Sequence, residues 1–138
     1  MAQSQRPLSP HMFIYKPQLT ANLSIIHRGT GVGLSLGTAF LTVWLLSAAW
    51  IPDAFDWVQG FYGSILGNLV LFGFSVCLFY HLCNGIRHLL WDMGYCLEIQ
   101  GVYRSGWIML FAAAVLTTFA WSIALDFAGA VGLAGSGS

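Results

Sequence analysis

The sequence predicts an all-α membrane protein with three transmembrane helices. Composition is the first observation behind this. Of 138 residues, 57% are hydrophobic and 7% charged, where a soluble domain carries about 25% charged residues. The second observation is that the apolar residues gather into three runs, each long enough to cross a ~30 Å hydrocarbon core as a helix. Lipid offers a backbone no hydrogen bonds, so such runs must satisfy their own amides by coiling into helices.

Residues 1–21 are polar and carry Pro7, Pro10 and Pro17, which argue for an extended arm rather than a helix. Asn22 or Ser24 is suited to cap the first helix, at about 24–50. Gly29, Gly33 and Gly37 recur at four-residue spacing and let a neighbouring helix or ligand approach one face. Pro52, Asp53 and Asp56 mark a loop. The second helix, about 63–92, is longer than the hydrocarbon core requires, so its last turns reach into the headgroup region. A second loop holds Glu98, Gly101 and Arg104 and leads to a third helix at about 105–127. Residues 22–128 thus form the transmembrane domain, and the small-residue tail 129–138 is expected to be disordered.

Charge sets the orientation. Arg6, Lys16, Arg28, Arg87 and Arg104 all fall on one side of this arrangement. The positive-inside rule makes that side cytoplasmic, with the N-terminal arm inside and the C-terminus outside. Trp44, Trp50, Trp57, Trp91, Trp107 and Trp121 mostly fall near span ends and read as an aromatic belt. No basic patch suggests nucleic acid, and Cys77, Cys83 and Cys96 have no metal-type spacing. The start of the chain has no apolar signal segment, so Met1 reads as a true start. That places the protein in a bacterial cytoplasmic (inner) membrane, as a multi-pass protein, or in the mitochondrial inner membrane if it is eukaryotic.

His81 is the sharpest residue. Eleven steps separate it from Asp92, or roughly 16 Å along a helix, about half of the hydrocarbon core. Steps of 100° place His81, Gly85, His88 and Asp92 within about 40° of each other. An imidazole at that depth needs a partner. One candidate is haem iron, which takes a neutral imidazole nitrogen as axial ligand, and Gly85 leaves room for a flat group. The other is a neighbouring helix, with His81 a structural hydrogen-bonding residue. His27 and His88 read as near the surface and His11 lies in the arm, so a second axial histidine has to come from another subunit. Ser24, His27 and Arg28 share a face at the start of helix one. They suit a quinone carbonyl or a haem propionate, or, more simply, a helix cap and a snorkelling anchor. Arg87, His88 and Asp92 admit an oriented histidine or an interfacial salt-bridge cluster. No nucleophile–base triad, phosphate loop or flavin fingerprint is present, so this chain holds no complete active site of its own.

Three blocks then resemble a known family. They are Arg6, Pro7, Leu8, Ser9, Pro10, His11 with Ile14 and Tyr15; Ser24 through Gly31; and His81, Asn84, Gly85, Ile86, Arg87, His88, Leu89, Trp91 and Asp92. In order and in layout they resemble the cytochrome b subunit, one of the membrane anchors, of succinate dehydrogenase (complex II). The resemblance implies a heterotetramer with a flavoprotein subunit, an iron–sulfur subunit and a second membrane anchor. It implies that His81 is one axial ligand to haem b and that the second anchor supplies the other. It places Ser24, Ile25 and Arg28 in the ubiquinone site, and His27 and Arg28 in the haem propionate region. The implied reaction is succinate to fumarate with reduction of ubiquinone, an electron-transport step of the tricarboxylic acid cycle. The anchor of a quinol:fumarate reductase and a haem-free membrane scaffold are the alternatives.

Overall fold

The computed structural model describes the backbone of residues 18–135 and the side chains of 18–128. Four helices follow one another: α1 Leu19–Trp50, α2 Pro52–Gly63, α3 Ile65–Asp92 and α4 Ile99–Gly135. Three of them contain bilayer-length apolar spans, Leu19–Trp50, Ile65–Asp92 and Ile99–Ala128. The all-α membrane architecture is therefore as the sequence predicts. The arm up to Pro17 lies outside the described residues.

Three local expectations change. Helix α1 begins at Leu19, earlier than expected, so Asn22 and Ser24 lie inside it; the N-cap position is Gln18, in extended backbone without a side-chain cap. The stretch expected to be a loop at Pro52–Asp56 is the start of α2. Proline fits the first turn of a helix, where its missing N–H would have no intrahelical partner, and Asp53 in that turn favours the positive helix end. A hydrogen bond from Trp44 Nε1 to Gln59 Oε1 at 3.0 Å folds α2 back against α1. At the other end of the chain, α4 starts at Ile99 and its backbone stays helical to Gly135, into the stretch expected to be a disordered tail.

The connections are tight. Ser64 caps α3 by accepting from Gly67 N–H at 3.1 Å, and Gly67 sits so close to the backbone of Phe61 and Tyr62 that a Cβ would overlap both. Between α3 and α4, Gly94 (φ 85°) and Cys96 (φ 55°) take left-handed backbone, which glycine adopts at little cost.

Helix α3 packs on both α1 and α4. Its buried apolar contacts are few: Leu23, Tyr80, Met109 and Ala113 form the core cluster. Large residues such as Leu36, Phe40, Leu69, Phe111 and Phe119 point outward. A water-soluble monomer does not expose apolar surface on this scale; lipid and other subunits are the natural cover. The tryptophans expected to form the belt fall into two groups by their contacts. Trp44 bonds Gln59, Trp121 packs edge-on against Phe72, and Trp91 lies under Arg87, while Trp50, Trp57 and Trp107 are exposed.

Candidate functional site

The site grows from where α1 and α3 cross. His27 is eight residues into α1, about 12 Å from its start, and His81 is eleven residues from the end of the antiparallel α3, about 16 Å. They therefore reach similar depth, which corrects the expectation that His27 stays near the surface. Their rings stack face to face, with centroids 3.8 Å apart and planes 13° from parallel. His88 joins at the outer end, its ring 5.4 Å from that of His27.

Small residues make this possible. A Cβ on Gly31 would lie 3.2 Å from His81 Cε1, and one on Gly85 would lie 4.0 Å from His27 Cε1. Gly31 thus admits the His81 imidazole, while at Gly85 a Cβ would be in no more than ordinary contact with His27. The expected glycine stripe is shifted: Gly33 faces Cys77 and Gly37 the Phe74 ring, but Gly29 meets nothing and Gly31 meets His81 instead.

His81 Nδ1 lies 3.2 Å from the His27 carbonyl oxygen. A carbonyl only accepts, so Nδ1 carries the proton and Nε2 keeps its lone pair. Among the described residues no hydrogen bond engages His81 Nε2. One nitrogen is held by a backbone carbonyl and the other keeps a lone pair, an arrangement that fits a metal-ligating histidine. His27 Nδ1, by contrast, is buried without a partner among the described residues, which leaves its Nε2 edge to serve a group outside the helix pair. The stack is not a two-histidine iron clamp. Two axial imidazoles aim their nitrogens at one metal from opposite sides, whereas these rings lie flat on each other.

Ser24 is half-buried, Arg28 exposed, and Ile25 65% exposed. No hydrogen bond ties Ser24 or Arg28 to the histidines among the described residues. Asp92 is exposed and forms no pair with His88; His88 Nε2 is instead 3.5 Å from Asn84 Nδ2. Arg87 is not part of an interfacial salt-bridge cluster. It is 3% exposed and donates to Ser105 Oγ (3.1 Å), Asn84 Oδ1 (3.3 Å) and the Val102 carbonyl (2.9 Å). Its guanidinium also lies 4.0 Å from the Trp91 ring centre, within the ~6 Å reach of a cation–π contact. Gly106 lies beside it, and a Cβ there would press on Leu23 Cδ1 at 3.1 Å while meeting Arg87 Nη2 at an ordinary contact distance of 3.6 Å. Asn84 is fully buried, and the sequence alone assigns it no role. Its one signal is a polar amide one turn below an intramembrane histidine. Tyr80 OH donates to the Leu23 carbonyl at 2.7 Å and pins α1 to α3 beside the stack.

Three bilayer-length helices with a sparse core and a buried polar layer at one end define a multi-pass membrane subunit. Residues 2–120 match the family model for the succinate dehydrogenase/fumarate reductase transmembrane subunit. The chain belongs to that family. It is 42% identical over 118 residues to the succinate dehydrogenase cytochrome b556 subunit of Rickettsia prowazekii, covering 86% of this chain and 92% of that one. It is 44% identical over 125 residues to the cytochrome b560 subunit of Reclinomonas americana, covering 86% and 85%. The b556 subunit of Paracoccus denitrificans is 41% identical over 117 residues, covering 83% and 88%.

Proposed function

We propose that this chain is the membrane-anchor cytochrome b subunit of a succinate:ubiquinone oxidoreductase. It holds one haem b through His81 and forms part of the ubiquinone site with Ser24, Ile25 and Arg28. The catalytic flavoprotein and the iron–sulfur protein dock on the end where His27, Arg28 and Arg87 gather, and a second anchor subunit packs on the exposed helix faces. That end is cytoplasmic by the positive-inside rule, because Arg28, Arg87 and Arg104, the Lys and Arg residues among the described ones, fall there.

The observation that carries the haem assignment is the His81 ring. Its Nδ1–H is held by the His27 carbonyl at 3.2 Å, which orients the imidazole and leaves Nε2 as the donor atom. Haem b, when bound, takes up and returns one electron at a time. His27 lies flat on His81 and so does not complete the axial pair; the second anchor supplies that ligand. The outer edge of His27, together with the Arg28 guanidinium, suits a propionate carboxylate. Ser24 and Arg28 are one helical turn apart, so both can donate to a quinone carbonyl, and the fixed charge of Arg28 stabilises the anion formed on reduction.

The test is a visible spectrum of the purified complex. His81→Ala removes the low-spin b-type bands, and His11→Ala leaves them intact. An unchanged reduced spectrum in His81→Ala removes His81 as the ligand.

A further inference from the structure

Thr30 has no part in the assignment above, yet its hydroxyl lies 3.2 Å from His81 Nδ1. The same hydroxyl donates to the His27 carbonyl oxygen at 2.9 Å. A threonine hydroxyl has one proton, so toward His81 the Thr30 oxygen presents a lone pair. His81 Nδ1 also lies 3.2 Å from that His27 carbonyl, which only accepts. Both contacts are satisfied together only when Nδ1 carries a hydrogen shared between the two oxygens. The opposite tautomer would set a bare nitrogen against the carbonyl.

The geometry points to Thr30 as a positioning residue that fixes the Nδ1–H tautomer of His81 and strengthens Nε2 as a donor to the haem iron. This rests on the reading of His81 as a haem ligand. An acceptor on the far nitrogen of a ligating imidazole orients the ring and raises its basicity. A more basic ligand stabilises the ferric over the ferrous state, so the Thr30 hydroxyl lowers the midpoint potential of the haem. The local fold supports the arrangement. Thr30 and His27 are one turn apart on α1, so the hydroxyl and the carbonyl address the same ring nitrogen. Gly31, the next residue, has no side chain to push the imidazole out of their reach.

The experiment uses the intact complex and three substitutions at one position. Thr30→Val keeps the shape and removes the hydroxyl, Thr30→Ala removes it with less bulk, and Thr30→Ser keeps it. The readouts are the haem midpoint potential and the electron paramagnetic resonance spectrum of the oxidised haem. Thr30→Val and Thr30→Ala are expected to retain a low-spin haem whose potential is raised and whose resonance positions shift. Losing an outer-shell partner costs about 10–100-fold in metal affinity, and a tenfold change confined to the ferric state is, for one electron, about 59 mV. Thr30→Ser is expected to restore wild-type values. A wild-type potential and spectrum in Thr30→Val or Thr30→Ala overturns the role of Thr30 while leaving His81 in place, provided His81→Ala lacks haem. Haem retained in His81→Ala overturns both.

Discussion

Replacing Arg87 by methionine tests the polar layer that joins α3 to α4. Three hydrogen bonds from a charged donor, at about 1.5–3 kcal/mol each, would total about 4.5–9 kcal/mol if they added. That sum is the wrong figure, because burying a guanidinium costs several kcal/mol in lost hydration and methionine avoids that cost. The outcome depends on which acceptors are stranded. Ser105 Oγ donates to the Val102 carbonyl at 3.0 Å, so both keep a partner without Arg87. Asn84 Oδ1 does not; it sits on a residue that is 0% exposed, with Arg87 Nη1 as its donor. Arg87→Met should therefore destabilise by about 1–3 kcal/mol, the cost of one buried unsatisfied acceptor, with up to about 1–2 kcal/mol more from the lost stacking on Trp91. Adding Asn84→Leu removes the stranded group, so the double variant should be no less stable than Arg87→Met alone. The assay is the unfolding free energy of the purified complex by denaturant titration, as a double-mutant cycle. Wild-type stability in Arg87→Met, or costs that simply add in the double variant, would refute the reasoning.

Other outcomes follow from the same geometry. Gly31→Ala places a Cβ 3.2 Å from His81 Cε1; it should displace the ring and perturb the haem spectrum, whereas Gly29→Ala meets nothing within 4 Å and should leave the spectrum unchanged. Arg28→Leu should lower quinone-linked succinate oxidation by about one to three orders of magnitude if it acts like a lost oxyanion donor, with Ser24→Ala milder, since a neutral hydrogen bond is worth about 1 kcal/mol. Succinate oxidation with an artificial dye that accepts upstream of the anchor should survive both changes. Normal quinone turnover in an assembled Arg28→Leu complex would make Arg28 a mere interfacial anchor. A topology reporter after Ser138 should lie outside the cytoplasm and one in the 93–98 connection inside; a cytoplasmic C-terminus would move the quinone site to the other face.

The three spans and the deep histidine are legible in the sequence because both are one-dimensional signals: charge-free length, and distance from a helix end. The partnership of His27 with His81 is not. Arg28 looks like the edge of the first span, yet α1 runs nine residues further toward the N-terminus, to Leu19; a long guanidinium stem tolerates a depth that its charge alone would deny. Helix α2 is hidden for a related reason, since Pro52 and Asp53 are both turn formers and good first-turn helix residues. The backbone bond from Phe55 N–H to the Ile51 carbonyl at 3.0 Å closes its first helical turn, and the bond between Trp44 and Gln59 holds the helix against α1. Arg87 resembles every other terminal arginine, because its burial depends on Ser105 and Val102, residues of a different helix.

That arginine also bears on how the protein enters a bilayer. Helix α3 by itself would bring a guanidinium into lipid about 7.5 Å above its own end, and insertion scales place the cost of an arginine at the centre of a helix near 2.5–3.5 kcal/mol. Two of its acceptors, Ser105 and the Val102 carbonyl, belong to the first turns of α4, just past the connection formed by Gly94 and Cys96. The charge is thus sheltered as soon as the next helix arrives. Inserting α3 and α4 as one hairpin is therefore expected to cost less than inserting α3 alone, and the Tyr80 hydroxyl ties α1 to that pair in the folded protein.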